Sequence, residues 1–220
     1  MFIYLTINYV YIQFNSKNCY KMNNNLIPLN KDPIKLFAKW YTLAKKNELN
    51  DPNAMNLATV SKNNKPSSRI VLLKYYSDKG FEFYTNSFSK KGREIDCNNS
   101  VALNFYWKSL QKQIRIEGKV FKIEKHRSEE YFQSRPTESK IGAWASSQSK
   151  LLKNRSELIK KFKEKNKKFL NKVIDRPVYW SGYIVVPKLI EFWNQKPHRL
   201  HDRVEYRKKR IGWVSKNLYP

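Results

Sequence analysis

The sequence is poor in the residues that build disulfide frameworks, metal sites and glycine-rich phosphate loops. Its 220 residues include only two cysteines, three histidines and six glycines. Cys19 and Cys97 stand at no disulfide or metal-ligand spacing, and there is no GxxxxGK or GxGxxG motif. We therefore expect no metal site and no glycine-rich nucleotide loop. The cysteine usage predicts a reducing, cytoplasmic location.

Acidic residues are scarce as well. Lys and Arg number 44 against 18 Asp and Glu, which gives a formal net charge of +26. Three causes compete: a nucleic-acid partner, anionic small ligands, or a proteome rich in Lys and Asn. The most basic stretch, 151–171, is the best nucleic-acid candidate. No aromatic residue is interleaved on its basic face, which favours a solvated helix.

We expect residues 1–21 to be neither a membrane span nor a secretory signal. Their apolar run is short and is broken by Asn8 and Gln13, with no basic segment before it and no small-residue cleavage site after it. Met22 follows at once, so we hypothesise that translation begins there. The alternative is that residues 1–21 form a short ordered arm or an appended strand. Residues 1–31 are thus expected to be an N-terminal extension or arm, and 32–220 to form one domain.

Hydrophobic periodicity predicts a mainly β domain, a β-barrel with peripheral helices. Asp32-Pro33 marks the start of a first helix that ends near 47–51. Predicted strands cover Met55–Ser61, Ser68–Tyr76, Phe81–Asn86, Val101–Trp107, Gln113–Glu124, Tyr179–Val186, Lys188–Asn194, Arg199–Arg207 and Ile211–Lys216. Further helices are predicted at Ser89–Cys97, His126–Arg135, Thr137–Ser146 and Leu151–Asn171. The apolar run 70–73 predicts a strand covered on both faces.

The stretch 68–91 reads as a β-hairpin that leads into a helix. Gly80 supplies the turn residue with positive φ, and Ser89 caps the helix. Lys90 and Lys91 fall in the first helical turn, where the helix dipole disfavours cations but free N–H groups suit a phosphate. The alternative is two surface lysines in a lysine-rich chain.

A second polar stretch lies at 192–203. Arg199, His201 and Arg203 occupy alternate positions, which predicts that they share one face of a strand. Two guanidinium groups beside an imidazole suit an anion. An exposed basic edge strand explains the pattern equally well.

A third polar stretch covers 131–139. Tyr131 and Arg135 are four residues apart on one predicted helix, and Ser139 comes at the start of the next. Their hydroxyl and guanidinium groups suit a phosphate monoester, although a helix-cap network is an equal alternative. All three stretches could bind anions, but the sequence contains no recognisable nucleophile motif. This combination favours an enzyme in which a cofactor performs the main chemical step.

These motifs, together with several others, resemble those of the pyridoxamine 5′-phosphate oxidase family from about residue 32 to residue 220. The matching segments are 68–74 (SRIVLLK), 83–86 (FYTN), Gln113, 131–136 (YFQSRP), 141–149 (IGAWASSQS), 191–193 (EFW) and 199–203 (RLHDR). They stand in the family's order and at its spacing. Position 90 is Lys where the family commonly has Arg, which replaces a bidentate donor by a point charge.

The resemblance implies an FMN-binding split barrel that forms a homodimer with FMN at the interface. It implies oxidation of pyridoxamine or pyridoxine 5′-phosphate to pyridoxal 5′-phosphate, with O2 as the acceptor and H2O2 as a product. It implies neither a nucleic-acid nor a membrane partner. The alternatives are a split-barrel flavoprotein with another substrate and a basic nucleic-acid-binding barrel.

The same resemblance assigns expected roles to individual residues. The FMN-binding set is Arg69, Ile70, Val71, Leu72, Leu73, Lys74, Tyr84, Thr85, Lys90, Lys91, Gln113, Gln148, Ser149, Trp193 and Arg203, with Arg69, Lys90 and Lys91 at the phosphate. The substrate-binding set is Lys74, Tyr131, Arg135, Ser139, Arg199, Leu200 and His201. Arg199 and His201 are the expected catalytic residues. Lys74 then serves the substrate phosphate and Arg69 that of the cofactor.

Overall fold

The computed structural model describes residue 27 and residues 29–220. The hypothesis about residues 1–21 and a start at Met22 therefore lies outside the described residues. The helices are α1 (Pro33–Asn47), α2 (Lys90–Cys97), α3 (Lys125–Gln133), α4 (Thr137–Ala145) and α5 (Arg155–Phe169). The strands are β1 (Ala54–Val60), β2 (Pro66–Leu72), β3 (Tyr75–Ser77), β4 (Gly80–Asn86), β5 (Ser100–Trp107), β6 (Lys112–Lys122), β7 (Trp180–Asn194), β8 (Asp202–Lys208) and β9 (Trp213–Leu218).

Within the described residues, the nine strands form one antiparallel sheet. Its order is β2-β1-β5-β6-β7-β4-β3, and β8 pairs with β7 and β9. The long strand β7 makes the sheet curl, because its first half pairs with β4 and its second half with β8 while β6 follows its other edge. The prediction of a mainly β fold with peripheral helices is confirmed.

Helix α1 closes the inside of the curled sheet. Asp32 caps it by accepting a hydrogen bond from the backbone N–H of Ile34 at 2.8 Å, as the Asp-Pro pair predicts. The ring of Phe37 is fully buried and meets those of Phe81 and Phe105 edge to face, with centroids 4.9 and 5.4 Å apart. Aromatic packing of this kind fixes the inner face of the sheet, so functional groups are confined to its edges and outer face.

A second, smaller cluster joins the start of β7 to the helices. It consists of Phe132 on α3, Ile141 on α4, Ile174 and Trp180. Phe132 packs edge to face on Trp180 with a centroid separation of 5.1 Å. This cluster holds α3 and α4 against the end of the sheet. A cleft remains between α4 and the adjoining ends of β4 and β7.

Two predictions for the first hairpin are wrong. The strand predicted at 68–76 breaks after Leu72, because the N–H of Lys74 turns to the carbonyl of Glu82 at 2.8 Å. The strand is also not covered on both faces in the single chain. β2 lies at an edge of the sheet, and the side chain of Ile70 is 63% exposed.

Several boundaries in the second half of the chain also differ from the prediction, among them the end of α3 at Gln133, which leaves Arg135 beyond the helix. The two strands predicted at 179–194 are one, because Pro187 falls between the β4-paired and β8-paired halves of β7, where its missing N–H breaks neither ladder. The strand predicted at Arg199–Arg207 begins only at Asp202. The helix predicted from Leu151 begins at Arg155, since Asn154 caps it through the N–H of Glu157 at 2.9 Å.

Candidate active site

A cleft of about 360 Å³, here called the helix cleft, lies between α4 and the adjoining ends of β4 and β7. The residues that line it are Tyr84, Thr85, Asn86, Arg135, Ser139, Gly142, Ala143, Ser146, Gln148 and Trp180. Five of these belong to the expected FMN-binding and substrate-binding sets. The structure therefore brings together residues that are more than sixty positions apart in the chain.

Lys91 lies against the helix cleft in an environment without a carboxylate contact. Lys91 is the second residue of α2, whose N-cap is Ser89, and it is only 8% exposed. Among the described residues, the polar atoms within 3.4 Å of its Nζ are neutral: the hydroxyls of Thr85 and Ser89 and the amide oxygen of Gln148. Burial, followed by the charge of nearby Arg69, lowers the pKa of Lys91. Two cations are thus held near one another at a helix N-terminus.

The guanidinium group of Arg69 is held by a buried polar network. Its Nη2 donates to the hydroxyl of Ser67 at 2.6 Å and to the carboxylate of Glu94 at 3.2 Å. Its Nη1 donates to the carbonyl of Leu57 at 3.3 Å and to the hydroxyl of Thr59. Lys90 is exposed and pairs with the other carboxylate oxygen of Glu94, Oε1, at 3.9 Å.

Arg135 is a second cation of the helix cleft without an anionic partner. Its guanidinium carbon lies 4.9 Å from the ring centre of Trp180, and its buried Nη1 has no hydrogen-bond partner among the described residues. Burial lowers its pKa. Ser139, at the third position of α4, lines the same cleft. A desolvated guanidinium group with a free donor is suited to receive an anion.

Aromatic rings form the wall beside Arg135. Tyr84 stacks on Tyr131 with centroids 4.1 Å apart and on Trp180 at 5.1 Å. Burial, and secondarily Glu82, raises the pKa of Tyr84 to about 12, so its hydroxyl stays protonated at neutral pH. The Nζ of Lys74, in the break between β2 and β3, lies 5.8 Å from the ring centre of Tyr131. Lys74 is therefore on the Tyr131 side of the site and does not share a strand with Arg69.

A separate group of predicted residues occupies the outer face of the sheet. Gln113, Trp193 and Arg203 are register partners across β6, β7 and β8, so they form one row. The amide of Gln113 donates to Asn104 at 2.8 Å. The imidazole of His201 packs on Trp193 with a centroid separation of 4.6 Å. We call this row together with His201 the sheet-face patch.

The expected alternation of Arg199, His201 and Arg203 on one strand is wrong. Pro197–Arg199 forms a 3-10 turn in which His198 and Arg199 have φ values of 57° and 62°. This turn ends before β8 begins, so Arg199 and the exposed Leu200 project from a loop beside the patch. Nδ1 of His201 accepts the backbone N–H of Lys196 at 3.2 Å, which places the imidazole proton on Nε2.

The predicted FMN-binding residues thus fall into two groups in one chain. Thr85, Gln148 and Lys91 lie at the helix cleft, whereas Gln113 lines a different cleft of about 290 Å³ on the outer sheet face. The linings of the two clefts have no residue in common. Of the remaining predicted residues, Ile70, Val71 and Leu72 belong to β2 and Leu73 follows it. Ser149, with φ of 68°, directly follows Gln148.

Sequence reasoning missed several residues that the structure places in these networks. Thr59, Ser67 and Glu94 surround Arg69, and Glu191 bridges Arg115 and Arg203 at 3.0 and 2.9 Å. Ser67 could have been found, because it lies two residues before Arg69 on the same strand face. The sequence around Thr59 and Glu94 did not indicate a role for either residue, since only the pairing of β1 with β2 and the packing of α2 place them beside Arg69.

Comparisons with known proteins identify the family of the chain. A family model described as pyridoxamine 5′-phosphate oxidase matches residues 43–168, and a second, described as the pyridoxine 5′-phosphate oxidase C-terminal dimerisation region, matches residues 180–220. The fold and the unpaired cations define a mainly β protein that can hold anionic ligands. The chain belongs to the pyridoxamine 5′-phosphate oxidase family, which confirms the resemblance.

Curated relatives are similar over nearly their whole length. The pyridoxine/pyridoxamine 5′-phosphate oxidase of Pelagibacter ubique is 48% identical over 204 residues, which cover 89% of this chain and 98% of the relative. That of Mannheimia succiniciproducens is 47% identical over 189 residues, 86% and 89% of the two chains. Insertions or missing segments within the shared region are therefore small.

Solved structures share the fold. PhzG from Burkholderia lata, determined with tetrahydrophenazine-1-carboxylic acid, superposes with a TM-score of 0.84 at 29% identity over 90% of this chain and 98% of its own. A pyridoxamine 5′-phosphate oxidase-related, FMN-binding protein from Nostoc punctiforme has a TM-score of 0.67 at 16% identity, with 84% and 96% coverage. The second likeness supports the fold alone.

The described residues contain neither a metal-binding cluster nor a membrane-spanning helix. In 27 and 29–220 there is no group of three or more His, Cys, Asp or Glu side chains placed to hold a metal ion. Over the same residues no helix has the length and apolar character needed to cross a membrane.

Proposed function

We propose that the chain is an FMN-dependent oxidase that makes pyridoxal 5′-phosphate. With the amine substrate, pyridoxamine 5′-phosphate, O2 and water give pyridoxal 5′-phosphate, ammonia and H2O2. With the alcohol, pyridoxine 5′-phosphate and O2 give pyridoxal 5′-phosphate and H2O2. FMN, when bound, supplies the acceptor for the two electrons and the hydrogen lost from the substrate C4′.

The observation that carries this proposal is a pair of partly buried cations, Lys91 beside the helix cleft and Arg135 in it, neither of which has a carboxylate partner among the described residues. Lys91, with Arg69 near it, and Arg135, with Lys74 on its Tyr131 side, make two separate positive groups. A cofactor phosphate and a substrate phosphate need two such groups. The donors present are the kinds that bind phosphate oxygens: ammonium, guanidinium and hydroxyl groups and the N-terminus of α2.

The residues around the proposed substrate ring orient it and hold a proton. Arg199 is exposed on a turn in left-handed conformation, two residues before His201 of the sheet-face patch. His201 keeps its Nδ1 occupied by the N–H of Lys196, so its Nε2–H is available as a donor. We assign both residues to orientation of the substrate and to proton traffic near C4′.

The proposal includes a homodimer, because the two halves of the site do not meet in one chain. We infer that the helix cleft of one copy faces the sheet-face patch of the other, with FMN between them. The match of residues 180–220 to a dimerisation region supports this, since that segment contains Trp193, His201 and Arg203. Ile70, exposed at the edge of the sheet, is then covered by the partner copy.

A second candidate function is oxidation of a different, unphosphorylated ring acid. It is favoured by the likeness to PhzG, which was determined with tetrahydrophenazine-1-carboxylic acid. The phosphorylated substrate is preferred because Arg135 and Ser139 line one cleft and together offer a guanidinium group with an unpartnered buried Nη1 and a hydroxyl, a donor set suited to a phosphate monoester. A phosphorylated substrate uses it directly.

The test is a steady-state assay of H2O2 and pyridoxal 5′-phosphate formation with added FMN. We expect activity on both phosphorylated substrates, and Arg135→Ala to raise KM for pyridoxamine 5′-phosphate about 10- to 100-fold because a charge-assisted pair is lost. Arg155→Ala, an exposed arginine at the start of α5, is the matched control and leaves KM unchanged. A wild-type chain that binds FMN yet oxidises neither substrate contradicts the proposal.

A further inference from the structure

The carboxylate of Glu94 is the centre of the network around Arg69. Its Oε2 accepts hydrogen bonds from the hydroxyls of Thr59 at 2.6 Å and Ser67 at 2.7 Å and from Nη2 of Arg69 at 3.2 Å. The residue is 6% exposed. We propose that Glu94 is a positioning residue for the cofactor phosphate: it orients Arg69 for the anion that Arg69 and Lys91 bind. The inference rests on the proposed function, since that function supplies the phosphate.

The direction of the hydroxyl groups explains how Glu94 acts. An ionised carboxylate can only accept hydrogen bonds, so the hydroxyls of Thr59 and Ser67 must both donate to it. Their oxygen lone pairs are then turned to Arg69, whose Nη1 and Nη2 donate to Thr59 and Ser67 respectively. One carboxylate thereby fixes both hydroxyls and both terminal nitrogens of the guanidinium group.

The charge of Glu94 is maintained by the same contacts. Burial by itself raises the pKa of this carboxyl, but the hydrogen bonds from Thr59, Ser67 and Arg69 together bring it below the usual glutamate value. The group is therefore ionised at neutral pH. Neutralisation by Gln would also introduce an amide N–H₂ that competes with the two hydroxyls as a donor.

The sign of the expected effect separates positioning from simple electrostatics. A negative charge beside an anion site repels the anion, so removal of the Glu94 charge strengthens phosphate binding if Coulomb repulsion dominates. If orientation of Arg69 dominates, removal weakens phosphate binding. A third possibility, that Glu94 merely ties α2 to β1 and β2, alters binding of any flavin alike, with or without a phosphate.

The experiment compares FMN with riboflavin, which lacks the phosphate, in fluorescence-quenching titrations of the full chain. We expect Glu94→Gln to raise the Kd for FMN about tenfold, from the loss of charge-assisted hydrogen bonds, and to leave the riboflavin Kd within about twofold. Asp96→Asn removes the same charge from the same helix at a half-exposed position that pairs with Lys122, and leaves both constants unchanged.

Ser67→Ala provides a second variant should Glu94→Gln fold poorly. Ser67 is only partly buried and contacts both Glu94 and Arg69, so its loss weakens FMN binding by a few fold and spares riboflavin. Tighter FMN binding by Glu94→Gln, or equal weakening of FMN and riboflavin by both variants, overturns the positioning role. A wild-type chain that binds neither flavin overturns the proposed function itself, and the role of Glu94 with it.

Discussion

Two cations of the helix cleft are removed from water without a carboxylate contact. Lys91 is surrounded by neutral oxygens, and Nη1 of Arg135 has no partner among the described residues. Burial lowers the pKa of each, so the charged forms are held in an unfavourable environment. Unpaired charges of this kind destabilise a fold, and they concentrate at binding sites where a ligand neutralises them. Anions in the cleft should therefore stabilise the protein.

Arg69 has two tasks that mutation can separate. Arg69→Ala removes a phosphate donor and also leaves Glu94 without its guanidinium partner, so we expect both weaker FMN binding and a lower free energy of unfolding. The double variant Arg69→Ala/Glu94→Gln no longer buries the unpaired charge, and it should regain stability without regaining FMN affinity. Urea unfolding and flavin titration measure the two effects. Recovery of FMN affinity by the double variant would contradict this division.

Glu94 should also shape the acid limb of the stability curve. Its pKa in the folded chain lies below the usual value, so its contribution is present at neutral pH and is lost as the pH falls through the folded pKa. We expect the difference in unfolding free energy between wild type and Glu94→Gln to be largest near pH 7 and to shrink below about pH 4. Urea titrations at several pH values test this. A difference that does not change with pH contradicts the assignment.

At the scale of single elements, cap residues predicted where α1 and α2 begin, whereas the start of α5 was predicted four residues too early and tertiary contacts decided where strands end. Asp32 and Ser89 cap α1 and α2 as their side chains predict. The break of β2 at Lys74 was not predictable, because it depends on a hydrogen bond to Glu82 in the next strand. The turn at Arg199 was missed because consecutive left-handed residues other than glycine are rare.

The same limit applies to the candidate site. Motifs of Arg, Lys and Tyr marked the charged residues, because these side chains are unusual at core positions. Their division between the helix cleft and the sheet-face patch depends on strand order and register, to which a single sequence gives no access. Thr59, which contributes one hydroxyl to the Arg69 network, reads locally as an ordinary strand residue.

The pairing of β6 with the middle of β7 depends on one glycine. The ladder between them shifts register at Glu117 and Gly118, and a Cβ at Gly118 would lie 2.2 Å from the carbonyl oxygen of Val186. We expect Gly118→Ala to lower the unfolding free energy by about 2 kcal/mol, since the backbone cannot move aside freely. Gly142→Ala, with no atom within 4 Å of the new Cβ, is the control. Equal thermal stability of the two variants contradicts a requirement for glycine at position 118.

At the scale of the whole molecule, most of the positive charge lies outside the proposed ligand site. The chain carries +26, yet the cations assigned here to ligands number only a few. Helix α5 has no buried residue and carries many of the others, while Phe162 and Phe169 pack it loosely on the second cluster. The expectation of a solvated basic helix, without a nucleic-acid partner, stays a prediction that a salt-dependent binding assay tests.

Strand β7 connects the two halves of the proposed site, because Trp180 at its start lines the helix cleft and Trp193 near its end belongs to the sheet-face patch. On the order of 40 Å of strand separates them.

Two damaged chains should therefore complement each other. An equimolar mixture of Arg135→Ala and His201→Ala chains, reassembled together, should regain about a quarter of wild-type activity, since half the dimers are mixed and each has one intact site. Arg135→Ala mixed with Ser139→Ala, both in the helix cleft, should regain none. In a cell that carries two different defective copies of this gene, the half of the site in which each lesion falls would then decide whether the cell makes its own product.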